Sequence, residues 1–241
     1  MSSATTTEAS HSPVEGGHGH GHGQHAPFLA HHFDTPAHQF DSAKLGMWIF
    51  IATEILMFGG LFVAYGLFRG QETEMFHQAH ERLDKIMGAV NTVVLLFSSL
   101  TAALAVRQSQ VGDRKGTTRW LIVTLLCACI FLVVKFFEYQ HKFHDGLLPG
   151  HYFTAHLAEH AHNGHVLPYR AHMFFALYFM MTGLHGVHVL IGMGVLSWAL
   201  KRNLDGKISS RYFTPIEIGA LYWHLVDLVW IYLFPLLYLV G

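Results

Sequence analysis

The chain has 241 residues, of which 51% are apolar and only 13% are charged, and its mean hydropathy is +0.31. Because 15 basic residues nearly balance 16 acidic ones, the sequence lacks the strongly cationic character that marks nucleic-acid-binding proteins. Several uncharged runs of about 20 residues, which is the length that crosses a hydrocarbon layer, exclude a soluble globular domain and predict a membrane protein.

Residues 1–44 are rich in Gly, Ser, Thr and His, and we predict that they form a disordered cytoplasmic tail. They contain no basic region followed by an apolar core, so we expect no cleaved secretory signal. Histidines in this tail could bind copper or zinc weakly, although no cysteine or second fixed ligand set would organise a tetrahedral site. The weak metal candidates are His18, His20, His22 and His25.

Five apolar segments follow the tail, and each predicts a transmembrane helix because helices satisfy their own backbone polar groups in lipid. The segments lack the period-2 alternation of barrel strands. The predicted spans are residues 45–68, 86–106, 119–140, 172–200 and 216–240. The fold class is therefore all-α integral membrane, with five transmembrane helices in a bundle over residues 45–241 and a long, histidine-rich external loop at 141–170.

Basic residues predict the orientation of the bundle. If successive loops alternate sides, nine Lys and Arg residues lie on the side of the N-terminus and five on the other, with Lys135 inside a span. The positive-inside rule then places the N-terminus in the cytoplasm and the C-terminus on the periplasmic side.

Glu54 lies near the middle of the first span, where an ionisable side chain costs about 2.5–3.5 kcal/mol. It should therefore face protein, headgroups or water instead of lipid tails. We favour a proton-related carboxyl or a contact with another subunit. The alternative is a hydrogen bond to a neighbouring helix of the same chain.

His185 and His188 on the fourth span, and His224 and Asp227 on the fifth, repeat a spacing of three residues. One reading is a metal site, since three imidazoles and a carboxylate lie at similar depth. The other is that Asp227 orients an imidazole and that these groups form hydrogen bonds between helices. A bis-histidine haem is disfavoured because the first three spans contain no histidine.

The third span carries two further polar features. Lys135 and Glu138 lie about one turn apart and predict an ion pair whose lysine extends outward to the membrane interface. Cys127 and Cys129 point to nearly opposite sides of the helix, so they cannot pair with each other there. We expect them to act as small apolar side chains.

Six segments, in this order, resemble subunit III of the haem-copper oxidases, the family of the cytochrome c and quinol oxidases. The resemblance covers residues 45–240, and it is specific because the HGxH and YWHxVDxVW segments each fall in the appropriate span. The segments are GMWIFIATEILMFGGLFVAY, NTVVLLFSSLTAALA, VGDRKG, FFEYQHKFHDG, MMTGLHGVHVLIGM and IEIGALYWHLVDLVWIYLF.

The resemblance implies an accessory subunit of a proton-pumping terminal oxidase in the bacterial inner membrane. The oxidase as a whole reduces oxygen to water. Such a subunit has no haem or copper of its own, packs on the catalytic subunit, binds phospholipid, and supports proton uptake and turnover stability. The expected partners are subunits I and II, with a small subunit IV or a supercomplex, and no nucleic acid. Cytochrome c is the expected donor; the alternatives are a quinol oxidase and a stand-alone proton or ion transporter.

The resemblance also assigns residues, none of them catalytic. Glu54 falls on the membrane-embedded glutamate of the helix that faces the catalytic subunit, and Arg202 falls on a basic residue that meets a lipid phosphate. Arg114 and Lys115 are expected to bind lipid headgroups as well. Longer members of the family carry two additional N-terminal helices, so the chain resembles the five-helix bacterial form. The structural polar positions are Glu138, His185, His188, Glu217, Trp223, His224 and Asp227.

Overall fold

A computed structural model describes residues 35–148, 153–154, 168–210 and 212–240. Within these ranges the chain is helical, apart from turns and two isolated β-bridges. A 3-10 turn at Tyr169–Ala171 precedes the fifth helix, and a π-helical turn at Pro235–Leu239 follows the sixth. The helices are α1 (Pro36–Gln71), α2 (Thr73–His80), α3 (Lys85–Val111), α4 (Arg114–His144), α5 (His172–Leu204) and α6 (Thr214–Phe234).

Five helical segments are long and apolar enough to cross a membrane, which confirms the predicted all-α membrane fold. The orientation of the termini stays a prediction. The histidine-rich tail up to residue 34, with its weak metal candidates, and most of the predicted external loop lie outside the described residues. The five segments are Ala37–Gln71, Lys85–Val111, Arg114–His144, Tyr169–Leu204 and Thr214–Leu239.

The first helix begins at Pro36, whereas the predicted tail continued to residue 44. Thr35 caps this helix, because its hydroxyl accepts a hydrogen bond from the His38 backbone N–H at 3.1 Å. Proline suits the first helical turn, where its missing N–H would have had no partner. The polar residues before the apolar run therefore form the first turns of the same helix.

Helix α2 lies in a segment that the sequence predicted only as a connection. Phe76 packs edge to face against Tyr65 of α1 and Phe174 of α5, with ring centroids 5.4 and 5.3 Å apart. The short helix therefore closes one end of the bundle between α1 and α5. Its buried residues are Met75, Phe76, Ala79 and His80.

Helices α3 and α4 form a tight antiparallel hairpin. Gly112 ends α3 in the left-handed conformation, at φ 84°, which glycine adopts without a steric penalty. Asp113 then caps α4, because one carboxylate oxygen accepts hydrogen bonds from the backbone N–H groups of Lys115 and Gly116, both at 3.1 Å. The sharp turn holds the two helices side by side, and this is the most extensive helix pair in the structure.

Helix α6 lies at the centre of the bundle and α1 at its edge. In the most apolar stretch of α6, 56% of the residues are buried, whereas in that of α1 only 11% are. Trp223 and Trp230 of α6 are fully buried. Gly192 of α5 makes room for the first indole, since a Cβ there would lie 2.8 Å from Cε3 of Trp223.

Candidate functional site

Glu54 of α1 meets His188 of α5 inside the predicted membrane region. The Glu54 Oε2 atom lies 3.0 Å from His188 Nε2, and the two side chains are only 14% and 12% exposed. The other ring nitrogen, Nδ1, lies 2.8 Å from the carbonyl oxygen of Leu184. Because a carbonyl oxygen only accepts, Nδ1 carries a hydrogen, so the contact with Glu54 requires one further proton on either the carboxyl or Nε2. A hydrogen bond between the two helices therefore requires one proton at this contact.

Aromatic side chains surround this pair. Phe58 packs edge to face against the His188 ring at 5.3 Å, and the Tyr222 hydroxyl of α6 donates to the His188 carbonyl at 3.1 Å. On the other side, Ile55 and Leu56 of α1 are 50% and 75% exposed. The Glu54 side chain thus points toward α5, while the opposite, apolar face of α1 is not covered by the described residues of this chain. The alternative predicted for Glu54, a hydrogen bond to a neighbouring helix of the same chain, is present, and the contact with a catalytic subunit stays a prediction.

Glu138 of α4 lies in a cage of four donors. Its carboxylate accepts from Lys135 at 2.8 Å, from Lys142 at 2.9 Å and from the Tyr178 hydroxyl at 2.8 Å. Tyr238, from the π-helical turn, also donates to this carboxylate. The cage joins α4, α5 and the turn after α6.

The expectation that Lys135 extends outward to the membrane interface is wrong. The Lys135 side chain is buried, and its ammonium group lies between Glu138 and the hydroxyls of Tyr178 and Tyr238, at 3.2 and 3.1 Å. It also lies 5.0 Å from the centre of the Trp230 ring. These inward partners replace the hydration that the lysine would otherwise have to reach at the interface.

The remaining intramembrane histidines point to different neighbours. The His185 ring lies between the rings of Phe131 and Trp230, at 5.6 and 5.2 Å, and is 1% exposed. His224 Nδ1 lies 2.8 Å from the Ser99 hydroxyl of α3. Across the part of the chain that the structure describes, no three His, Cys, Asp or Glu side chains come close enough to hold a metal ion. The geometry therefore does not assemble the metal site that the spacing suggested as one reading.

The other reading of the spacing is correct in one part, because His188 and His224 form hydrogen bonds to other helices, but Asp227 does not orient an imidazole. Its carboxylate is 2% exposed, and neither oxygen has a hydrogen-bond partner among the described residues. His224 lies three residues earlier on the same helix but turns toward Ser99 of α3. Two side chains on the same face of a helix can reach the same neighbouring elements. The spacing alone does not determine which partner each of them binds.

The chain is similar in sequence to known membrane proteins of one family. The family model described as cytochrome c oxidase subunit III matches residues 151–241. The quinol oxidase subunit 3 of Bacillus subtilis (strain 168) is 33% identical over 201 residues, which cover 82% of this chain and 86% of the relative. The chain belongs to the subunit III family of haem-copper oxidases.

Two other relatives extend the comparison across donor types. The cytochrome c oxidase subunit 3 of Thermostichus vulcanus is 31% identical over 203 residues, covering 83% of this chain and 88% of the relative. The probable quinol oxidase subunit 3 of Staphylococcus aureus (strain COL) is 28% identical over 217 residues, covering 86% and 94%. As a subunit III, the chain is a multi-pass membrane protein that associates with other oxidase subunits.

Two predicted structural positions of this subunit III have partners that sequence reasoning missed. The Trp223 indole N–H donates to the Ser98 hydroxyl of α3 at 2.6 Å. Glu217, in the first turn of α6, forms an ion pair with Lys44 of α1 at 2.8 Å. Both partners lie more than 100 positions away in sequence, so no local pattern could have identified them.

The three basic residues predicted to bind lipid lie near one end of the subunit III bundle. The Asn203 side chain of α5 donates to the Arg114 backbone carbonyl at 3.1 Å, which ties the start of α4 to the end of α5. Arg114 and Lys115 are exposed, and the Arg202 guanidinium lies 5.0 Å from the centre of the Trp198 ring. Their binding of lipid stays a prediction.

Proposed function

We propose that this chain is an accessory, non-catalytic subunit of a terminal oxidase that reduces oxygen to water in the bacterial inner membrane. Haem and copper would reside in partner subunits I and II, and the N-terminus would lie in the cytoplasm. Relatives named as quinol oxidase and as cytochrome c oxidase subunits both support this role, which does not depend on the electron donor.

The observation that carries the proposal is the 3.0 Å contact between Glu54 Oε2 and His188 Nε2, two titratable groups on neighbouring helices. The pair lies behind the face of α1 that this chain leaves largely uncovered, where a large membrane partner would pack. With the catalytic subunit on that face, the pair would lie next to the interface in a low-dielectric setting. It would stabilise the orientation of α1 there and support proton uptake by the partner.

Phospholipid forms the second part of the proposed role. Arg114, Lys115 and Arg202 lie near the end of the bundle that the positive-inside rule assigns to the cytoplasm. Each basic residue near an anionic membrane surface gains about 1 kcal/mol of attraction. We therefore propose that these residues bind lipid phosphates and keep the subunit at the same depth in the membrane as its partner subunits.

The proposal is tested with oxidase reconstituted in lipid vesicles, with and without this chain. We expect the complex that lacks it to lose oxygen-consumption rate and to inactivate after fewer turnovers. Full activity and an unchanged catalytic lifetime without the chain would contradict the proposed role. Proton flux through the purified chain alone, in liposomes, would favour the transporter alternative.

A substitution narrows the test to the pair. Glu54→Gln should leave the complex assembled but lower its turnover modestly, because the amide cannot share a proton with His188 as a carboxyl does. Glu72→Gln is the matched control, since Glu72 follows the same helix and pairs with the exposed Arg170. Equal turnover of the two variants would argue against a proton-related role for Glu54.

A further inference from the structure

Three polar side chains in the bundle core have hydrogen-bonding atoms that no described residue satisfies. They are the amide of Asn91, both ring nitrogens of His185 and both carboxylate oxygens of Asp227. Their residues are 0%, 1% and 2% exposed. Such groups are expensive in a membrane protein, because lipid supplies no hydrogen bonds.

The three side chains come from three helices at neighbouring depths around Trp230. The Trp230 ring lies 5.2 Å from His185 of α5, and its indole N–H donates to Thr92, which adjoins Asn91 on α3, at 3.1 Å. Asp227 precedes Trp230 by three residues on α6, so both lie on the same side of that helix. The three side chains therefore lie within about one helical turn of one another in depth along the bundle.

The polar groups next to Asp227 do not supply strong hydrogen-bond donors to both of its carboxylate oxygens. The Ser99 hydroxyl lies close enough to interact with the carboxylate, although their contact falls outside normal hydrogen-bond geometry, and the same hydroxyl bonds to His224 Nδ1 at 2.8 Å. Cys127 is the other close polar neighbour, and a thiol is a weak donor. Ser99 has one hydroxyl hydrogen to give, so at least one oxygen of the carboxylate lacks a strong donor among the described residues.

Other buried polar side chains in the same bundle are directly paired. Thr101 bonds to Thr124 at 2.8 Å, and Ser98 accepts from Trp223 at 2.6 Å. Single atoms of Arg202 and Glu217 also lack a partner, but Asn91, His185 and Asp227 are the described core residues in which every polar side-chain atom does. Together these three offer amide and imidazole donors together with carboxylate, imidazole and amide acceptors, the mixture that a bound water molecule can bridge.

We propose that Asn91, His185 and Asp227 form an internal hydration site, which binds ordered water between α3, α5 and α6. The ligand is water and not a metal ion, since no three metal-ligating side chains converge among the residues that the structure describes. The water donates to Asp227 and bridges the amide and the imidazole, so the acid can remain in the core without a protein partner. The site is separate from the Glu54 and His188 pair, and it does not rest on the proposed function.

The direct test is an electron cryomicroscopy map of the assembled oxidase at a resolution that shows ordered water. We expect water density within about 3.2 Å of an Asp227 carboxylate oxygen and of the Asn91 amide or a His185 ring nitrogen. A well-ordered map that shows no water at these atoms, or direct protein hydrogen bonds to them, would overturn the proposal.

A second test measures whether substitution of Asp227 raises or lowers the Tm. In the assembled oxidase, Asp227→Asn should retain Tm, because an amide can also bind the water. Asp227→Leu should lower Tm by about 2–4 °C, since it removes a water ligand and leaves the other two groups unsatisfied. If the region is dry, Asp227→Leu removes an unsatisfied polar group and raises Tm, which would overturn the proposal.

Thr101→Val is the matched control for both experiments. It removes a buried hydroxyl that is already paired with Thr124, at a different depth on α3. We expect it to lower Tm without changing the water density at Asp227. Loss of that density in the control would show that the water does not depend on the three proposed ligands, and would also overturn the site.

Discussion

Glu138 and Glu54 are both acids of membrane-spanning helices, yet their surroundings differ in kind. Glu138 is 2% exposed, and its charge is matched by two ammonium groups and two phenol hydroxyls. Glu54 is 14% exposed and has one imidazole partner, His188, at 3.0 Å. The first site has two ion pairs and several hydrogen bonds, whereas the second has a single contact between one carboxyl and one imidazole.

The helices that each acid joins differ in the same way. The Glu138 cage connects α4 to α5, which pack side by side, and both to the turn after α6. The Glu54 pair connects α5 to α1, the helix that this chain covers least. We therefore expect the cage to determine stability and the pair to affect function with little effect on stability.

The largest expected effect is that of Glu138→Gln. The variant leaves the ammonium groups of Lys135 and Lys142 buried without a carboxylate, and breaking a buried ion pair in this way costs about 3–5 kcal/mol. Thermal unfolding of the purified complex should show a clear loss of Tm. Glu72→Gln, at an exposed ion pair, is the control, and equal losses in the two variants would contradict a structural cage.

Tyr238→Phe should have the next largest effect. It removes a hydroxyl that bonds to Glu138 while keeping the ring, and a hydrogen bond to a charged group contributes about 1.5–3 kcal/mol. Tyr232→Phe provides the comparison, because Tyr232 is 60% exposed on the preceding helix. The same thermal measurement checks both variants. A loss for Tyr232→Phe as great as that for Tyr238→Phe would show that the cage contact is not what the hydroxyl contributes.

A smaller, pH-dependent effect is expected beside the cage, at His80 of α2. Its Nδ1–H donates to the carbonyl of Leu237, the residue before Tyr238, at 3.1 Å. Burial lowers the pKa of His80 below its ordinary 6.5. The unfolded chain therefore binds the proton more readily, so stability is full above about pH 6.5 and falls as the pH drops toward the folded-state pKa.

Thermal unfolding at a series of pH values below neutrality measures this effect. His80→Gln keeps a donor for Leu237 and removes the titrating group, so its Tm should vary less with pH than that of the wild type. His144→Gln is the control, because His144 is exposed at the end of α4 and does not act on the pKa of His80. A pH profile that flattens equally in both variants would assign the effect to another group.

The smallest stability effect is expected for Glu54→Gln, at about 1 kcal/mol or less, since its single contact is partly exposed and the amide can still donate to His188. A double-mutant cycle with His188→Gln measures the coupling between the two side chains. A coupling energy as large as that of a Glu138 and Lys142 cycle would remove the distinction between the two sites.

The sequence predicted the elements of this fold better than their contacts. Runs of apolar residues identified the five membrane-crossing helices, because length and hydropathy are local properties. The start of α1 at Pro36 was missed because polar residues precede the apolar run, although Thr35 and Pro36 carried ordinary start signals. Helix α2 was missed because eight residues give a weak periodic signal.

The partners of the polar side chains were harder to predict. The sequence indicated that Glu54 needs cover, but His188, which provides it, lies 134 residues away. The direction of Lys135 was predicted incorrectly, because its choice between the interface and the core depends on Tyr178 and Tyr238 of other elements. Helix rotation and long-range pairing decide such contacts, and neither follows from spacing along one helix.

The cage has a further consequence for how the polypeptide enters the bilayer during synthesis. Lys135, Glu138 and Lys142 are spaced three and four residues apart on α4, so their ion pairs form within a single helix. Much of their charge can thus be neutralised once α4 is helical, before any other segment is in place. A segment with three ionised side chains would otherwise partition poorly from the translocation channel into lipid. Ion pairs formed within the helix lower the free-energy cost of this transfer.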